Sequence, residues 1–250
     1  MKEIIYSDNI KSTMKKPILG MIKLDDDDEI EITSEEVINQ NILTPFDLYN
    51  PEFWQVPYLS IKAKGADAVS NKIPTPEASK GLLNAARQFD GKTDLIFGDC
   101  GFMWASRESL YRKTGTPAIT SSLEFLDLAL RFTNKSVGII SWNEEPLKKL
   151  LENHTEFYRL RFVSVGDLPE WYKWACDADS YMKPGGWTKT QMEKEFKERM
   201  EEVFSANGQF SDISILIIEC TLVPDFRNTI RSISSVPIFD ILNFVKMLID

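Results

Sequence analysis

One pattern occurs twice in this chain of 250 residues, and it limits the fold more than any other feature. Asp94-Leu95-Ile96-Phe97-Gly98-Asp99-Cys100 is an apolar run closed by an acid and a cysteine, and Ser214-Ile215-Leu216-Ile217-Ile218-Glu219-Cys220 is another. Each is followed by an amphipathic stretch and a short apolar segment entered through a proline. Pro117 comes seventeen positions after Cys100, and Pro237 seventeen positions after Cys220. A duplicated strand–cysteine–helix–strand unit sets two thiols at the carboxyl ends of two buried strands, where open α/β sheets build their ligand sites.

Along the rest of the chain, short apolar runs alternate with amphipathic ones. Pro17 to Ile22, Phe53 to Lys62, Ser136 to Ser141 and Arg159 to Val165 read as strands. A helix is expected from Thr75, as N-cap, through Pro76 to about Phe89, with Gly91 ending it. Others are expected over about Glu145–Asn153 and Gln191–Ala206, the latter burying Met192, Phe196, Met200 and Val203, and a last one from Asp240. Such alternation implies an α/β fold of mainly parallel sheets, and the repeat implies two pseudosymmetric lobes facing a cleft. The expected division is a first lobe of residues 1–118 plus 222–250, with the C-terminal helix returning to it, and a second lobe of 119–221.

Composition narrows the function. A net charge of -9 does not suit a nucleic-acid binder, which needs a basic patch against phosphates. No apolar run approaches the roughly 18 residues of a membrane span, and the first residues lack a signal-peptide layout. Three cysteines make no disulfide framework, so a reducing, cytoplasmic setting is expected. Zinc is not expected either, since two cysteines and a distant His154 show no Cys-x-x-Cys spacing. His154 closes a helix and reads as a solvated C-terminal residue, and Cys176, without a repeat partner, reads as structural.

A cysteine in an apolar strand is commonly a small buried hydrophobe. Equivalent positions in a repeat, each at a strand-to-helix turn whose amino terminus lowers thiol pKa values and binds anions, favour function for Cys100 and Cys220. Two opposed thiols can move a proton, one removing it from a carbon beside a carboxyl group and the other delivering it to the opposite face. Gly101 and Thr221 would supply N–H donors, and Thr120, Ser121 and Ser122 hydroxyls for a substrate carboxylate, with helix capping the alternative for Thr120 and Ser121. Asp99 and Glu219 point away from the thiols on an alternating strand and read as groups that orient backbone.

The stretches Gly98-Asp99-Cys100-Gly101-Phe102-Met103, Pro117 to Leu123, Val137-Gly138-Ile139-Ile140, Gly166 to Glu170 and Glu219-Cys220-Thr221 through Asp240 resemble the aspartate/glutamate/hydantoin racemase superfamily. The first of them is similar to the branch containing the algal dimethylsulfoniopropionate lyases. The resemblance implies two lobes with one catalytic cysteine each, Cys100 and Cys220, working without a cofactor or metal. The implied activity is racemisation or epimerisation of an amino acid or related small carboxylate. The alternatives are β-elimination of the dimethylsulfoniopropionate-lyase type and a catalytically inactive carboxylate-binding homologue. Gly101, Phe102, Thr120, Ser121 and Thr221 are the implied substrate-binding residues. Trp54, Tyr58, Phe102 and Trp104 would be the aromatic cage for a sulfonium group. A homodimer is compatible with the resemblance. Two departures stand out: an acidic segment from Asp25 to Tyr49 replaces the usual Pro/Gly loop, and Leu222 stands where some relatives have histidine.

Overall fold

Short apolar segments too brief for helices pair here into two parallel sheets. The computed structural model describes residues 15–25, 46–66 and 75–250. The first sheet, in the order β2-β1-β3-β4, contains β1 (Leu19–Lys23), β2 (Tyr58–Lys62), β3 (Leu95–Gly98) and β4 (Ala118–Ile119). The second, in the order β6-β5-β7-β8, contains β5 (Ser136–Ser141), β6 (Leu160–Ser164), β7 (Ile213–Ile218) and β8 (Ile238–Asp240). All pairings are parallel, and the second sheet repeats the order of the first four strands later. β1 and β5 are buried throughout, as strands covered on both faces must be.

The helices in chain order are α1 (Pro51–Trp54), α2 (Pro76–Gln88), α3 (Arg107–Leu110), α4 (Leu126–Phe132), α5 (Glu144–Leu151), α6 (Pro169–Cys176), α7 (Lys189–Val203), α8 (Arg227–Ile233) and α9 (Ile241–Ile249). Local chemistry sets their ends. The Thr75 hydroxyl accepts a bond from Ala78 N–H at 3.2 Å with Pro76 next in line, so α2 begins where its sequence indicates. Gly91, at φ +71°, turns the chain beyond its end. α7 buries the expected Met192, Phe196, Met200 and Val203.

Two expectations are revised. Phe53 lies in α1 rather than a strand: the Asn50 side chain accepts from Glu52 N–H at 2.9 Å, Pro51 takes the first helical position, and Gln55 breaks the turn at φ +57°. The strand starts only at Tyr58. The handover between lobes also falls later than residue 222. β8 pairs with β7, and Val223, Phe226 and Ile230 pack in the second core, so this stretch stays with the second sheet. α9 alone returns, seating Ile241, Leu242 and Val245 against Leu19, Met21, Trp54 and Phe97.

The duplication extends to individual bonds. The Pro117 carbonyl accepts from Ile96 N–H at 2.8 Å, and the Pro237 carbonyl accepts from Leu216 N–H at 2.9 Å. A proline cannot donate to a ladder, so it stands at the mouth of each short edge strand.

The acidic segment is described only at its ends, residues 26–45 lying outside the described residues. Asp25 accepts from Gly65 N–H at 2.8 Å. Phe46 stacks on Trp187 at 5.8 Å, and Asp47 N–H donates to both oxygens of Asp225, which is ion-paired with Lys189. The chain therefore re-enters across the second lobe before returning to the first.

Helix α2 packs unusually close to the loop after β2. A Cβ on Gly81 would lie 1.9 Å from the Lys64 carbonyl oxygen. Gly to Ala inside a helix ordinarily stabilises by about 1 kcal/mol. Gly81→Ala is expected to reverse that sign and destabilise by ~1–3 kcal/mol, read as a lowered denaturant midpoint.

Candidate active site

Each central strand ends at an acid and a cysteine, and the chain then tightens into a 3-10 turn. After β3 come Asp99 and Cys100, then the turn Gly101–Ser106; after β7 come Glu219, Cys220 and Thr221, then the turn Val223–Phe226. Met103 N–H donates to the Cys100 carbonyl and Val223 N–H to the Cys220 carbonyl, both at 3.1 Å. The turns aim further backbone N–H groups at the sulfurs, from Phe102 toward Cys100 and from Leu222 and Val223 toward Cys220.

The two turns press against each other. Thr221 donates its hydroxyl to the Asp99 carbonyl, and Ser122 donates its hydroxyl to the Ile218 carbonyl, so each half-copy bonds to the strand end of the other. Between them, Gly101 lies on the Glu219 carboxyl. A Cβ at Gly101 would stand 2.1 Å from Glu219 Oε1 and 2.4 Å from the Glu219 carbonyl oxygen. Glycine is the residue type that permits this approach. Cys100 remains partly exposed, while Cys220 is 7% exposed.

The electrostatics oppose thiolate formation. Burial pushes the Cys100 thiol well above its ordinary value, and the charges of Glu219, Asp99 and Cys220 add to the rise. Burial followed by Glu219 pushes Cys220 up to about 12. The N–H groups of the turns pull both down, but by less. The expected lowering by a helix amino terminus is thus outweighed: the turns are short, and a desolvated thiolate beside carboxylates is costly. Glu219 itself, 1% exposed, is lifted by burial to about 7. The Ser141 hydroxyl and Trp142 N–H draw it down slightly, yet neither carboxylate oxygen closes a well-formed hydrogen bond among the described residues.

Asp99 matches its expected role, its carboxylate taking Leu24 N–H at 3.3 Å and the Tyr49 hydroxyl at 3.4 Å. Glu219 differs: besides the Trp142 N–H, its carboxyl meets Gly101 of the other half-copy. The hydroxyls assigned to a substrate carboxylate are engaged inside the protein. Thr120 donates to Glu124 at 2.8 Å, Ser121 caps the following turn by accepting from Leu123 N–H at 3.1 Å, and Ser122 bridges the lobes. Helix capping is the role the geometry gives Ser121.

The aromatic cage is not assembled. Trp54 is core, its indole N–H on the Leu48 carbonyl; Phe102 is buried, Tyr58 donates to the Tyr49 carbonyl, and Trp104 lies under the Arg107 guanidinium at 3.6 Å. Sequence reasoning missed Lys23, buried at the end of β1 with its ammonium 5.3 Å from the Tyr49 ring, although the apolar run before it marks a strand end. His154 pairs with Asp127 at 3.0 Å, and Cys176 ends α6 on the surface beside the Tyr172 hydroxyl. Leu222 is a core residue of the second lobe. A groove of about 690 Å³ runs along β4 and α3, bounded by Thr120 and Glu124 and by neither cysteine. Among the described residues no helix is long and apolar enough to cross a membrane, and no three His, Cys, Asp or Glu groups cluster as a metal site.

No family model matches this chain. A dimethylsulfoniopropionate lyase from Durusdinium sp. clade D is 23% identical over 209 residues, a match covering 78% of this chain and 66%, just under two thirds, of the relative. Allantoin racemase from Pseudomonas fluorescens superposes with a TM-score of 0.55 at 10% identity, over 92% of this chain and 88% of its own. Allantoin racemase from Klebsiella pneumoniae gives 0.54 at 13% identity, over 93% and 86%. An aspartate racemase homologue from Pyrococcus horikoshii gives 0.50 at 16% identity, over 94% and 97%. At these identities the shared property is the fold: this chain has the two-lobe α/β architecture of those racemases.

The raised Glu219 carboxyl has a stability consequence with a definite sign. Between its ordinary 4.5 and about 7 the folded protein holds a proton that the unfolded chain releases, so this contribution is complete below 4.5 and is lost as pH rises through 7. The interval corresponds to at most ~3 kcal/mol. Glu219→Gln, which mimics the protonated form, is expected to melt above the unaltered protein at pH 8, with the difference closing by pH 5. Equal melting temperatures at pH 8 would contradict the burial of an ionised carboxyl. Gly101→Ala is expected to lower stability by ~1–3 kcal/mol through its collision with Glu219.

Proposed function

We propose that this protein is an acid–base enzyme whose two thiols, Cys100 and Cys220, remove and return the α-proton of an amino acid or related small carboxylate. The observation that carries this reading is the placement of the cysteines at equivalent ends of duplicated strands, in turns that abut. One sulfur in its thiolate form takes the proton from the carbon beside the carboxyl group, and the electron pair spreads into that carboxyl as an enolate. The thiol on the opposite face protonates the carbon, inverting it, and the two groups exchange roles for the reverse direction. Because the thiols are coupled to one another and to nearby carboxylates, their ionisations belong to the group rather than to single residues. Backbone N–H groups at the turns are the local positive poles that would face the developing charge.

A second reading, β-elimination, is favoured by the similarity to the Durusdinium lyase. It needs the same first step: the carbanion expels a β substituent instead of being reprotonated. Such a reaction requires one thiol as base and leaves the other as a helper.

Incubation with candidate L-amino acids in deuterated water separates the readings. Racemisation gives α-deuterium with loss of optical rotation, whereas elimination from dimethylsulfoniopropionate gives dimethyl sulfide. If neither signal appears across a broad panel of acids, the enzymatic reading fails in favour of a binding protein. For racemisation, Cys100→Ser and Cys220→Ser are each expected to lower turnover by about 10²–10⁴-fold. Full activity in either would remove the two-thiol assignment. Cys176→Ala, altered at a surface cysteine, is expected to leave the rate unchanged.

A further inference from the structure

Hydroxyls beside the two cysteines reach across to the strand end of the opposite half-copy. Thr221 directly follows Cys220, and its hydroxyl donates to the carbonyl of Asp99, which directly precedes Cys100. Ser122 makes the reverse crossing, donating to the carbonyl of Ile218, two positions before Cys220. Both side chains are buried. The segment that carries Ser122 closes on the first strand end as well: a Cβ on Gly98, two positions before Cys100, would stand 2.6 Å from the Thr120 carbonyl oxygen.

We infer that Thr221 and Ser122 are positioning residues of the proposed reaction, a hydroxyl clasp that holds the two strand ends where Cys100 and Cys220 reach opposite faces of one small acid. The inference rests on the two-thiol reading given above and deepens it. For Thr221 the clasp takes the place of the substrate contact that the sequence resemblance implies.

Three observations support the clasp. A hydroxyl has one proton to donate. That of Thr221 is committed to Asp99 and that of Ser122 to Ile218, so neither has one to give a substrate carboxylate. Next, β3 and β7 belong to separate sheets, so no ladder sets their spacing. Each sheet fixes only its own side, with Asp99 N–H on the Ile22 carbonyl at 3.0 Å and Glu219 N–H on the Ile140 carbonyl at 2.8 Å. A carbonyl and the N–H after it share one rigid plane, so the Thr221 bond orients the peptide leading into Cys100, and the Ser122 bond the peptide leading into Glu219. Finally, the reach is right. Through the Thr221 side chain and its bond, the Cα atoms of Cys220 and Cys100 are at most about 12 Å apart. Two cysteine side chains, each in reacting contact of about 3–3.5 Å with one face of a carbon atom, span a similar distance.

Thr221→Val keeps the shape of the side chain and removes the donor. It is expected to lower kcat by about 10²-fold with KM unchanged. Thr221→Ser keeps the donor and is expected to restore most of the rate, while Ser122→Ala is expected to show the same split as Thr221→Val. A raised KM with kcat kept, or full activity in Thr221→Val, overturns the inference. A second readout is independent of turnover: dibromobimane becomes fluorescent when both of its arms join thiols. In the full chain carrying Cys176→Ala, where Cys100 and Cys220 are the remaining cysteines, it is expected to bridge them. Bridging is expected to slow when Thr221→Val is added and to recover with Thr221→Ser. No bridge with the clasp intact, or equal bridging in Thr221→Val, overturns the inference; the first of these decides even should Thr221→Val not fold. Bridging that follows the clasp, in a chain silent toward every acid offered, would keep the clasp and remove the enzymatic reading.

Discussion

The contact between Gly101 and Glu219 is the constraint on which the arrangement of this molecule depends. Two sheets of independent hydrogen bonding would otherwise be free to settle at many separations. Here the strand ends are brought together until a backbone without a side chain lies on a buried carboxyl, and hydroxyls from each half close on carbonyls of the other. The thiols inherit their positions from that contact. So does their electrostatic environment, because the same approach that aligns the two turns sets a desolvated acid beside both sulfurs.

An arrangement of this kind sacrifices stability near neutral pH. Burial lifts Glu219 to about 7 and Asp225, which pins Asp47 across the second lobe, to about 6. Their surroundings differ. Asp225 has Lys189 and a backbone N–H to satisfy it, so it reads as a structural anchor. Glu219 has no cation beside it, only the Ser141 hydroxyl and Trp142 N–H, and local rules broken without a packing benefit are commonly found at functional positions.

Most of the fold was legible in the chain because its signals are local. The capped start of α2 is written in Thr75-Pro76, the apolar stripe of α7 in its spacing, and the parallel class in the alternation of short apolar runs with amphipathic ones. The Phe53 region misled because aromatic composition resembles a strand, while Asn50-Pro51 imposes a helical turn that composition alone does not reveal. The later handover between lobes was hidden for a different reason: β8 is three residues long, and its pairing with β7 is a long-range choice. The places of the two cysteines at strand ends were legible in the repeat, and the groups around them less so. Strand alternation suggested that Glu219 points away from the thiol and orients backbone, but alternation ends where the strand ends, and the side chain then follows the notch at Gly101.

The chain passes between the sheets at Thr120–Ser122, after β4, and again where Asp240 caps α9, and the two passages are neighbours, Phe125 lying 5.2 Å from Phe239 and 4.7 Å from Phe244. On another side, the segment through Phe46 and Asp47 straps the second lobe at Trp187 and Asp225 before returning to the first. A swing of one sheet away from the other about those two crossings would have to peel that strap loose, so the two lobes are belted as well as hinged.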